Sequence, residues 1–156
     1  MSEQITLSTS PAGDPIAHKT IEINAAPSKV WDALTNPDVM KKWMSETEIK
    51  ITTDWKVGSP FIINGNLHGI NFENNGTVLR FERERVLKYS HLSSLSRLPD
   101  EDRNYSMIEF SLAPTENQTS LTVTVSNFPT ESIYKHLVFY WNVTLEILKR
   151  MIEGQG

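Results

Sequence analysis

The sequence contains no cysteine, no excess of basic residues and no long apolar run. The missing cysteines exclude disulfides, thiolate metal sites and cysteine nucleophiles. A formal net charge of −4 provides no basic field to attract nucleic acid. No segment approaches the roughly 20 apolar residues of a membrane helix. No basic patch followed by an apolar stretch marks a secretory signal. We therefore expect a cytoplasmic protein without a membrane span.

The 156 residues, of which 38% are hydrophobic, fit one domain with a substantial core. Near the N-terminus the run Ser10-Pro11-Ala12-Gly13-Asp14-Pro15 is rich in residues that break regular structure, and it shows no periodicity. We predict a flexible N-terminal tail over residues 1–15 and a single domain over residues 16–156.

The middle of the chain predicts strands with two short helices near their start. Ile21 and Ile23 alternate with polar residues, which indicates a half-buried strand. Pro27 then suits the first position of one helix, and Asn36 can cap a second. Asn64-Gly65-Asn66 and Asn75-Gly76 are interpreted as hairpin turns. The later strands are predicted at Glu48–Thr52, Ser59–Asn64, Phe72–Glu82, Val86–Leu92, Tyr105–Ala113 and Thr119–Ser126. Their short connections favour an antiparallel sheet of six or seven strands.

The strongest predicted element is a C-terminal helix that begins at a Thr130 cap and ends near Gly154. At about 1.5 Å per residue its roughly 20 residues span ~30 Å, enough to cross a sheet. One face is polar, with Phe139 as an aromatic exception. The inner face is predicted to carry Ile133, Leu137, Tyr140, Trp141, Thr144, Leu148 and Met151, and the outer one Lys135, Asn142, Glu146, Lys149 and Glu153.

These elements predict an α+β fold in which one long helix covers the concave face of a curved antiparallel sheet. A single helix about 10 Å wide does not fill that concavity. Either large side chains fill the remaining space or an internal cavity is left.

Three stretches resemble the START-like (SRPBCC) superfamily, whose members have this helix-grip fold. More narrowly, they resemble the family named for the activator of the heat-shock-protein-90 ATPase. The first is INAAPSKVWDALTNP at residues 23–37, followed by Trp43. The second is GTVLRFE at 76–82, running into VLKYS at 86–90, and the third is TSLTVT at 119–124 with the helix from Trp141 to Leu148. Tyr140 departs from the family pattern, in which a glycine is common.

The resemblance implies several activities without selecting one. The family includes co-chaperones active in the stress response. Relatives in the wider superfamily bind lipids, sterols or plant hormones, and others cyclise or dehydrate polyketides. Because one fold supports all of these, the residues of the cavity must decide among them.

The sequence offers little for catalysis, metal binding or cofactor binding. The four histidines (His18, His68, His91 and His136) lack the spacing of a zinc site. No nucleophile elbow and no glycine-rich phosphate loop is present. His91 shares strand parity with Leu87 and Tyr89, so a place in the cavity and a place outside it both stay open. We therefore expect no metal and no cofactor, and we assign no catalytic residue.

Apolar and amphipathic side chains are the positive signal. Tyrosine and tryptophan combine a large apolar body with a polar tip, which suits a pocket for a mostly apolar ligand. Plain core packing is the competing interpretation of each residue. The predicted ligand-binding residues are Trp43, Phe72, Phe81, Tyr89, His91, Met107, Tyr140, Trp141, Thr144 and Leu148.

Three hypotheses about function follow. The first is a non-enzymatic domain that binds a hydrophobic or amphipathic small molecule. The second is an enzyme of the cyclase, dehydratase or hydrolase kind, for which His91, Tyr89 and Tyr140 are the available groups. The third is a chaperone-regulating interaction module, with a protein partner or self-association near Phe139.

Overall fold

The structure is a computed structural model that describes residues 5–154. Within that range the chain forms nine strands and three α-helices. The strands are β1 (Thr6–Thr9), β2 (Pro15–Ile23), β3 (Ile49–Thr53), β4 (Phe61–Leu67), β5 (Ile70–Asn75), β6 (Val78–Glu82), β7 (Val86–Ser93), β8 (Ser106–Thr115) and β9 (Gln118–Ser126). The helices are α1 (Pro27–Thr35), α2 (Pro37–Met44) and α3 (Glu131–Ile152), and two short 3-10 helices span Ser94–Ser96 and Asp102–Asn104.

All strands join one antiparallel sheet in the order β1-β2-β9-β8-β7-β5-β4-β3, with β6 paired to β7 beside this path. The two short helices follow β2, as the sequence predicts, and the long α3 packs against β2, β9, α1 and α2. This is the predicted α+β helix-grip arrangement of a sheet under a long C-terminal helix, and it is confirmed. The described sheet has more strands than the six or seven expected.

One extra strand arises where the predicted strand Phe72–Glu82 is divided into β5 and β6. The division lies at Gly76, where an added β-carbon would sit 1.8 Å from the Ser90 carbonyl oxygen of β7. Only glycine allows this approach, so the backbone at residue 76 stays against β7. The pairing with β7 keeps one register across this point, from Asn75 opposite Leu92 to Val78 opposite Tyr89, and shifts only between Val78 and Arg80. The predicted hairpin turn at Asn75-Gly76 is therefore wrong.

The predicted turn at Asn64-Gly65-Asn66 is also wrong, because these residues lie inside β4. The reversal between β4 and β5 falls later, at His68 and Gly69, whose φ angles are 52° and 87°. Asparagine beside glycine is typical of hairpin turns. Here the register of β3, β4 and β5 decides the position instead.

The other extra strand lies in the region predicted to be a flexible tail, residues 1–15. Thr6–Thr9 forms β1 and pairs with the start of β2. The breaker-rich run is the turn between them, closed by a hydrogen bond from the Ser10 backbone N–H to the Asp14 carbonyl at 2.8 Å. Residues 1–4 of the expected tail lie outside the described residues.

The core lies between the inner faces of the sheet and α3. From α3 it takes Leu137, Trp141, Thr144, Leu145, Leu148 and Ile152. Most of the predicted inner face is therefore buried, and Leu145 and Ile152 are additions to it. All nine positions of β9 alternate between partly exposed and buried in the expected way, with Leu121, Val123 and Val125 inward.

The C-terminal half of α3 is held to β2 by charged side chains. Lys19, buried on β2, donates from Nζ to the Asn142 carbonyl at 2.9 Å and lies 3.5 Å from Glu146 Oε1. Glu153 Oε2 accepts from the Asn24 backbone N–H at 2.7 Å, and Lys149 donates to the Glu22 carbonyl. The side of α3 predicted to face solvent thus partly contacts the sheet. Over residues 131–140 of α3, Leu137 is the one buried residue among those described.

Candidate functional site

Packed aromatic rings occupy much of the space between α3 and the sheet. Each ring centroid lies 4.4 to 6.4 Å from the next. Such separations are typical of favourable aromatic pairs in a core. The row runs through Trp55, Phe61, Tyr89, Phe110, Trp141 and Trp43. The inner surface is therefore aromatic, as expected, and its side chains are closely packed.

Two depressions open at the surface, away from this row. One of about 320 Å³ lies beside α1 and is lined by Trp31, Asp32 and Phe81 among others. The second, of about 240 Å³, lies at the start of α3 between Phe128 and Tyr134. Both are open to solvent, so neither is the enclosed cavity expected from the sequence.

A cluster of polar groups interrupts the apolar inner face near one end of the sheet. On β7, His91 follows Tyr89 on the inner side, and it lies opposite Ser106 of β8. Asn74 of β5 pairs with Ser93, the next inward position of β7. The N-terminal half of α3 contributes Tyr140, whose hydroxyl donates to the Met44 carbonyl of α2 at 2.6 Å.

Three buried polar atoms on this interior have no hydrogen-bond partner among the described residues: Asn74 Oδ1, Ser106 Oγ and Trp141 Nε1. Ser106 and Trp141 are only 1% and 2% exposed. A buried polar group left unpaired costs roughly 1–3 kcal/mol. The neighbouring indole differs, since Trp43 Nε1 donates to the Ala33 carbonyl at 2.8 Å. The interior thus retains unused hydrogen-bonding capacity, and a bound polar group could use it.

The titratable groups of the cluster are uncharged near neutral pH. Burial and, to a smaller extent, the nearby His136 together lower the pKa of His91 from 6.5 to about 4. Burial raises the pKa of Tyr89 well above 10, with a smaller contribution from Tyr140. Burial likewise raises the pKa of Tyr140. In each case the low-polarity surroundings disfavour the charged form.

An apolar surface leads from the cluster along the β4–β5 hairpin. Gly65 lies on the inner side of β4, where an added β-carbon would be 2.6 Å from Cζ of Phe72 and 3.1 Å from Ile49. The Phe72 ring therefore lies across Gly65 and is only partly buried. Leu67 and Ile70 pair at the tip of the same hairpin and are exposed.

The structure places most of the predicted ligand-binding residues on the inner surface. Trp43, Tyr89, Trp141, Thr144 and Leu148 are buried there. His91, Tyr140 and Phe72 are partly buried at or beside the polar cluster.

Two predicted residues lie elsewhere. Phe81 packs beside the α1 depression, 5.2 Å from the Trp31 ring and 5.5 Å from that of Trp55. Met107 was wrongly placed in the lining. It pairs with Ser90 and shares the outer face with Glu109, because the inward positions of β8 are the even-numbered ones.

The sequence interpretation missed Asn74 and Ser106. Strand parity could have found Ser106, since it lies two residues before the inward Ile108. The same parity could have found Asn74, which lies two residues after Phe72 in the predicted strand. Its inward direction follows from its pairing opposite Ile63.

Among residues 5–154 no group of three acidic or histidine side chains is arranged to hold a metal ion. Over the same range, no helix has both the length and the apolar character needed to cross a membrane.

An exposed apolar stripe runs along the outer side of α3. It consists of Phe139, Val143 and Ile147, whose residues are 69%, 42% and 40% exposed. Because residues four apart share one side of a helix, the three side chains form one continuous surface. The lone exposed aromatic expected at Phe139 is thus part of a larger feature.

A family model described as Activator of Hsp90 ATPase homolog 1-like protein matches residues 24–153 of the chain. Functionally curated proteins give no significant match.

Several solved structures share the fold. The solution structure of ChR145 from Cytophaga hutchinsonii is 36% identical with a TM-score of 0.76, over 90% of this chain and 94% of that one. The solution structure of the Aha1 dimer from Colwellia psychrerythraea is 26% identical with a TM-score of 0.70, over 90% and 97%. The crystal structure of CV1439 from Chromobacterium violaceum, at 19% identity and a TM-score of 0.76 over 88% and 96%, shows the fold alone.

Proposed function

The chain belongs to the family of Activator of Hsp90 ATPase homolog 1-like proteins, and we propose that it binds a hydrophobic or amphipathic small molecule between α3 and the sheet. The observation that carries the proposal is the set of unpaired polar atoms on an otherwise aromatic inner surface. Ser106 Oγ and Trp141 Nε1 are deeply buried and lack partners. A ligand with an apolar body and a polar group at either atom would pair that atom while burying its own surface.

Binding requires some movement of side chains, and the structure supports such movement at one end. Phe72 and Tyr140 are partly buried where the polar cluster meets the hairpin. No salt bridge among the described residues joins residues 131–139 of α3 to the sheet, whereas Lys19 and Lys149 join the later turns to β2. Regions with few buried apolar contacts open at lower cost than the core. We therefore place ligand entry between the β4–β5 hairpin and the first half of α3.

The titration of the cluster favours binding over catalysis. A general base works best when its pKa is near the working pH. His91, with its pKa lowered to about 4, is a weak base at neutral pH. Tyr89 and Tyr140, whose pKa values are raised by burial, are weak acids. These were the available groups for an enzyme, so we propose a binding domain in preference to a cyclase, dehydratase or hydrolase.

The test is an NMR titration of the protein, labelled with nitrogen-15, using the uncharged fluorescent amphiphile N-phenylnaphthylamine. We expect the largest shift changes at the amides of His91 and Ser106 and at the indole N–H of Trp141. The indole N–H of Trp43, which is already hydrogen-bonded, is the internal control and should move less. Shifts confined to the α1 depression around Trp31, or none at all, would show the proposal to be wrong.

A second candidate function is self-association through the exposed stripe of Phe139, Val143 and Ile147. One relative of known structure, from Colwellia psychrerythraea, is described as a dimer. An apolar helix surface of this kind is a common protein interface. Analytical ultracentrifugation should show a dimer that Phe139→Glu dissociates and the exposed Arg150→Glu leaves intact. If the unmodified chain stays monomeric, and purified Hsp90 binds it through Phe139, the chaperone-regulating alternative is favoured instead.

A further inference from the structure

The geometry points to the tip of the β4–β5 hairpin as a docking surface for a lipid–water interface with zwitterionic head groups. The hairpin tip consists of Leu67, His68, Gly69 and Ile70. This inference rests on the proposed function and names the source of the ligand, which is a lipid surface touched by the tip.

The inner face of the hairpin stays apolar beyond the point where the core stops covering it. Ile63 is buried near the base, and further along the Phe72 ring lies across Gly65. Leu67 and Ile70 pair opposite each other at the end and are 41% and 59% exposed. Because alternate residues share one face of a strand, these side chains form one apolar strip from the interior to the hairpin tip.

The hairpin carries no charge, whereas 22% of the residues in the sequence are charged. Residues 57–72 contain no Asp, Glu, Lys or Arg. In the segments beside the hairpin, Lys50 lies opposite Asn64, and Asn64 Nδ2 donates to Glu73 Oε2 at 3.1 Å, so both charges are on the outer face. The charged residues of β3, β5, β7, the 3-10 helix beside β5 and their adjoining turns nearest the hairpin include as many acids as bases: Glu46, Glu48, Lys50, Glu73, Lys88 and Arg97.

The polar groups of the hairpin tip are already hydrogen-bonded to one another. Asn66 Oδ1 accepts from the Gly69 backbone N–H at 2.9 Å, and Asn66 Nδ2 donates to Asn71 Oδ1 at 2.9 Å. The backbones of β4 and β5 pair as far as Leu67 and Ile70. Because an unpaired polar group is costly to remove from water, this internal pairing makes contact with lipid less costly.

A lipid surface suits the hairpin tip better than a second copy of the chain does. A stable protein interface takes roughly 800 Å² from each partner. Two partly exposed aliphatic side chains offer far less than that area. A lipid interface needs no complementary shape and accepts shallow insertion of a few apolar groups. The strip beside Phe72 then leads from the lipid towards the proposed entry to the interior.

The test places the nitrogen-15-labelled protein with phosphatidylcholine bicelles that contain a spin-labelled lipid. The measurement is made at a mildly alkaline pH, where free histidine is uncharged. We expect the strongest paramagnetic broadening at the amides of Leu67, Gly69 and Ile70. Broadening centred on the α3 stripe around Val143, or no broadening, would overturn the inference.

The composition of the lipid gives a second measurement. Replacing part of the phosphatidylcholine with phosphatidylserine should not strengthen binding, because the hairpin tip is uncharged and the whole chain has a net charge of −4. Binding should also change little with salt. A several-fold gain on anionic vesicles that high salt abolishes would show that charge governs the contact, and it would overturn the choice of a zwitterionic surface.

A matched pair of variants tests the apolar tip. Ile70→Asn should weaken sedimentation with phosphatidylcholine vesicles several-fold. Val57→Asn is the control, because Val57 is 65% exposed in the same uncharged run but lies outside the tip. Both positions are exposed, so thermal unfolding should show the fold to be kept. Equal effects of the two variants would overturn the inference, as would a dimer that Ile70→Asn dissociates in analytical ultracentrifugation.

Lipid docking and the proposed function fail in different ways. N-phenylnaphthylamine added from water reports on the interior alone, and Ile70→Asn should leave its shifts at His91 and Ser106 unchanged. If the dye binds there but lipid does not broaden the hairpin tip, the docking inference is wrong and the binding function stands. If lipid broadens the tip but the dye shifts nothing in the interior, the binding function is wrong and the tip is not its source of ligand.

Discussion

The partly buried His91 should make the stability of the protein depend on pH between about 4 and 6.5. In the folded state burial lowers its pKa to about 4, whereas in the unfolded chain it returns to its ordinary 6.5. Below pH 6.5 the unfolded state therefore binds more protons than the folded state. By linkage, the free energy of unfolding is fully retained above 6.5 and falls as the pH decreases towards 4.

The size of this effect follows from the difference between the two pKa values. The shift from 6.5 to about 4 corresponds to a maximal loss of about 3 kcal/mol at 1.36 kcal/mol per pH unit. At about pH 5 the loss is about 2 kcal/mol relative to about pH 8. Since small domains unfold with a free energy of roughly 5–15 kcal/mol, a change of this size is readily measured.

The assay is urea unfolding at a series of pH values for the unmodified protein and for His91→Gln. The variant cannot titrate at this position. Between about pH 8 and pH 5 its free energy of unfolding should therefore fall by about 2 kcal/mol less than that of the unmodified protein. His68→Asn is the matched control, because His68 is exposed in a turn with a φ of 52° that asparagine tolerates. That control should keep the pH dependence of the unmodified protein.

Two results would refute the reasoning. If His91→Gln and the unmodified protein lose stability in parallel, His91 does not titrate with a lowered pKa in the folded state. If His68→Asn reduces the pH dependence of stability as much as His91→Gln does, that dependence arises from the overall charge of the protein and not from the burial of His91. A direct NMR titration of the His91 ring would then give a pKa near 6.5.

Three further perturbations test the packing. Leu148→Ala should reduce the free energy of unfolding by about 2–5 kcal/mol, because the side chain is fully buried. Ile147→Ala, on the exposed side of the helix, should reduce it by about 1 kcal/mol or less. Equal losses in urea unfolding would contradict the assigned faces of α3. Gly76→Ala should reduce the free energy of unfolding by more than about 3 kcal/mol or prevent folding, since its β-carbon would meet the Ser90 carbonyl oxygen at 1.8 Å. Near-normal stability would contradict this close approach of the two backbones. Thr130→Ala should reduce the free energy of unfolding by about 1 kcal/mol by removing the cap of α3, whereas Thr130→Ser should keep most of that stability. If thermal unfolding shows the two variants to be equally destabilised, the cap has no role.

The sequence predicted the order of elements and the inner face of α3 because these depend on local periodicity. Leu137, Trp141 and Leu148 recur at helical spacing, and the structure buries all three. The pattern does not show which neighbour covers the flanks of a helix. The side carrying Glu146 was therefore predicted to face solvent, although it contacts Lys19 of β2.

The errors lie where pairing between distant strands overrides local residue preferences. Asn64-Gly65-Asn66 has the composition of a turn, but pairing on both sides keeps it in β4. Gly76 was also assigned to a turn, whereas its role is to let β7 approach. Neither position can be judged without knowing which strand lies beside it.

The polar cluster could be predicted only in part, since it is assembled from three strands and a helix. Strand parity gave His91 and Tyr89 the same side of one strand, with the side of His91 left open, and helix periodicity placed Tyr140 on the inner face. Met107 was misplaced by one residue, which on a strand exchanges the inner face for the outer one. Asn74 joins the cluster through pairing of β5 with β7, a contact between residues far apart in the sequence.

The row of aromatic rings between α3 and the sheet also gives the protein its own optical reporter. Trp141 and Trp43 lie 6.4 Å apart, and Tyr89 is linked to Trp141 through Phe110. Chromophores this close exchange excitation energy, and fixed, asymmetric ring pairs give near-ultraviolet circular dichroism. A molecule inserted among these rings would change both signals without any attached dye, so occupancy of the interior can be followed in the unmodified chain.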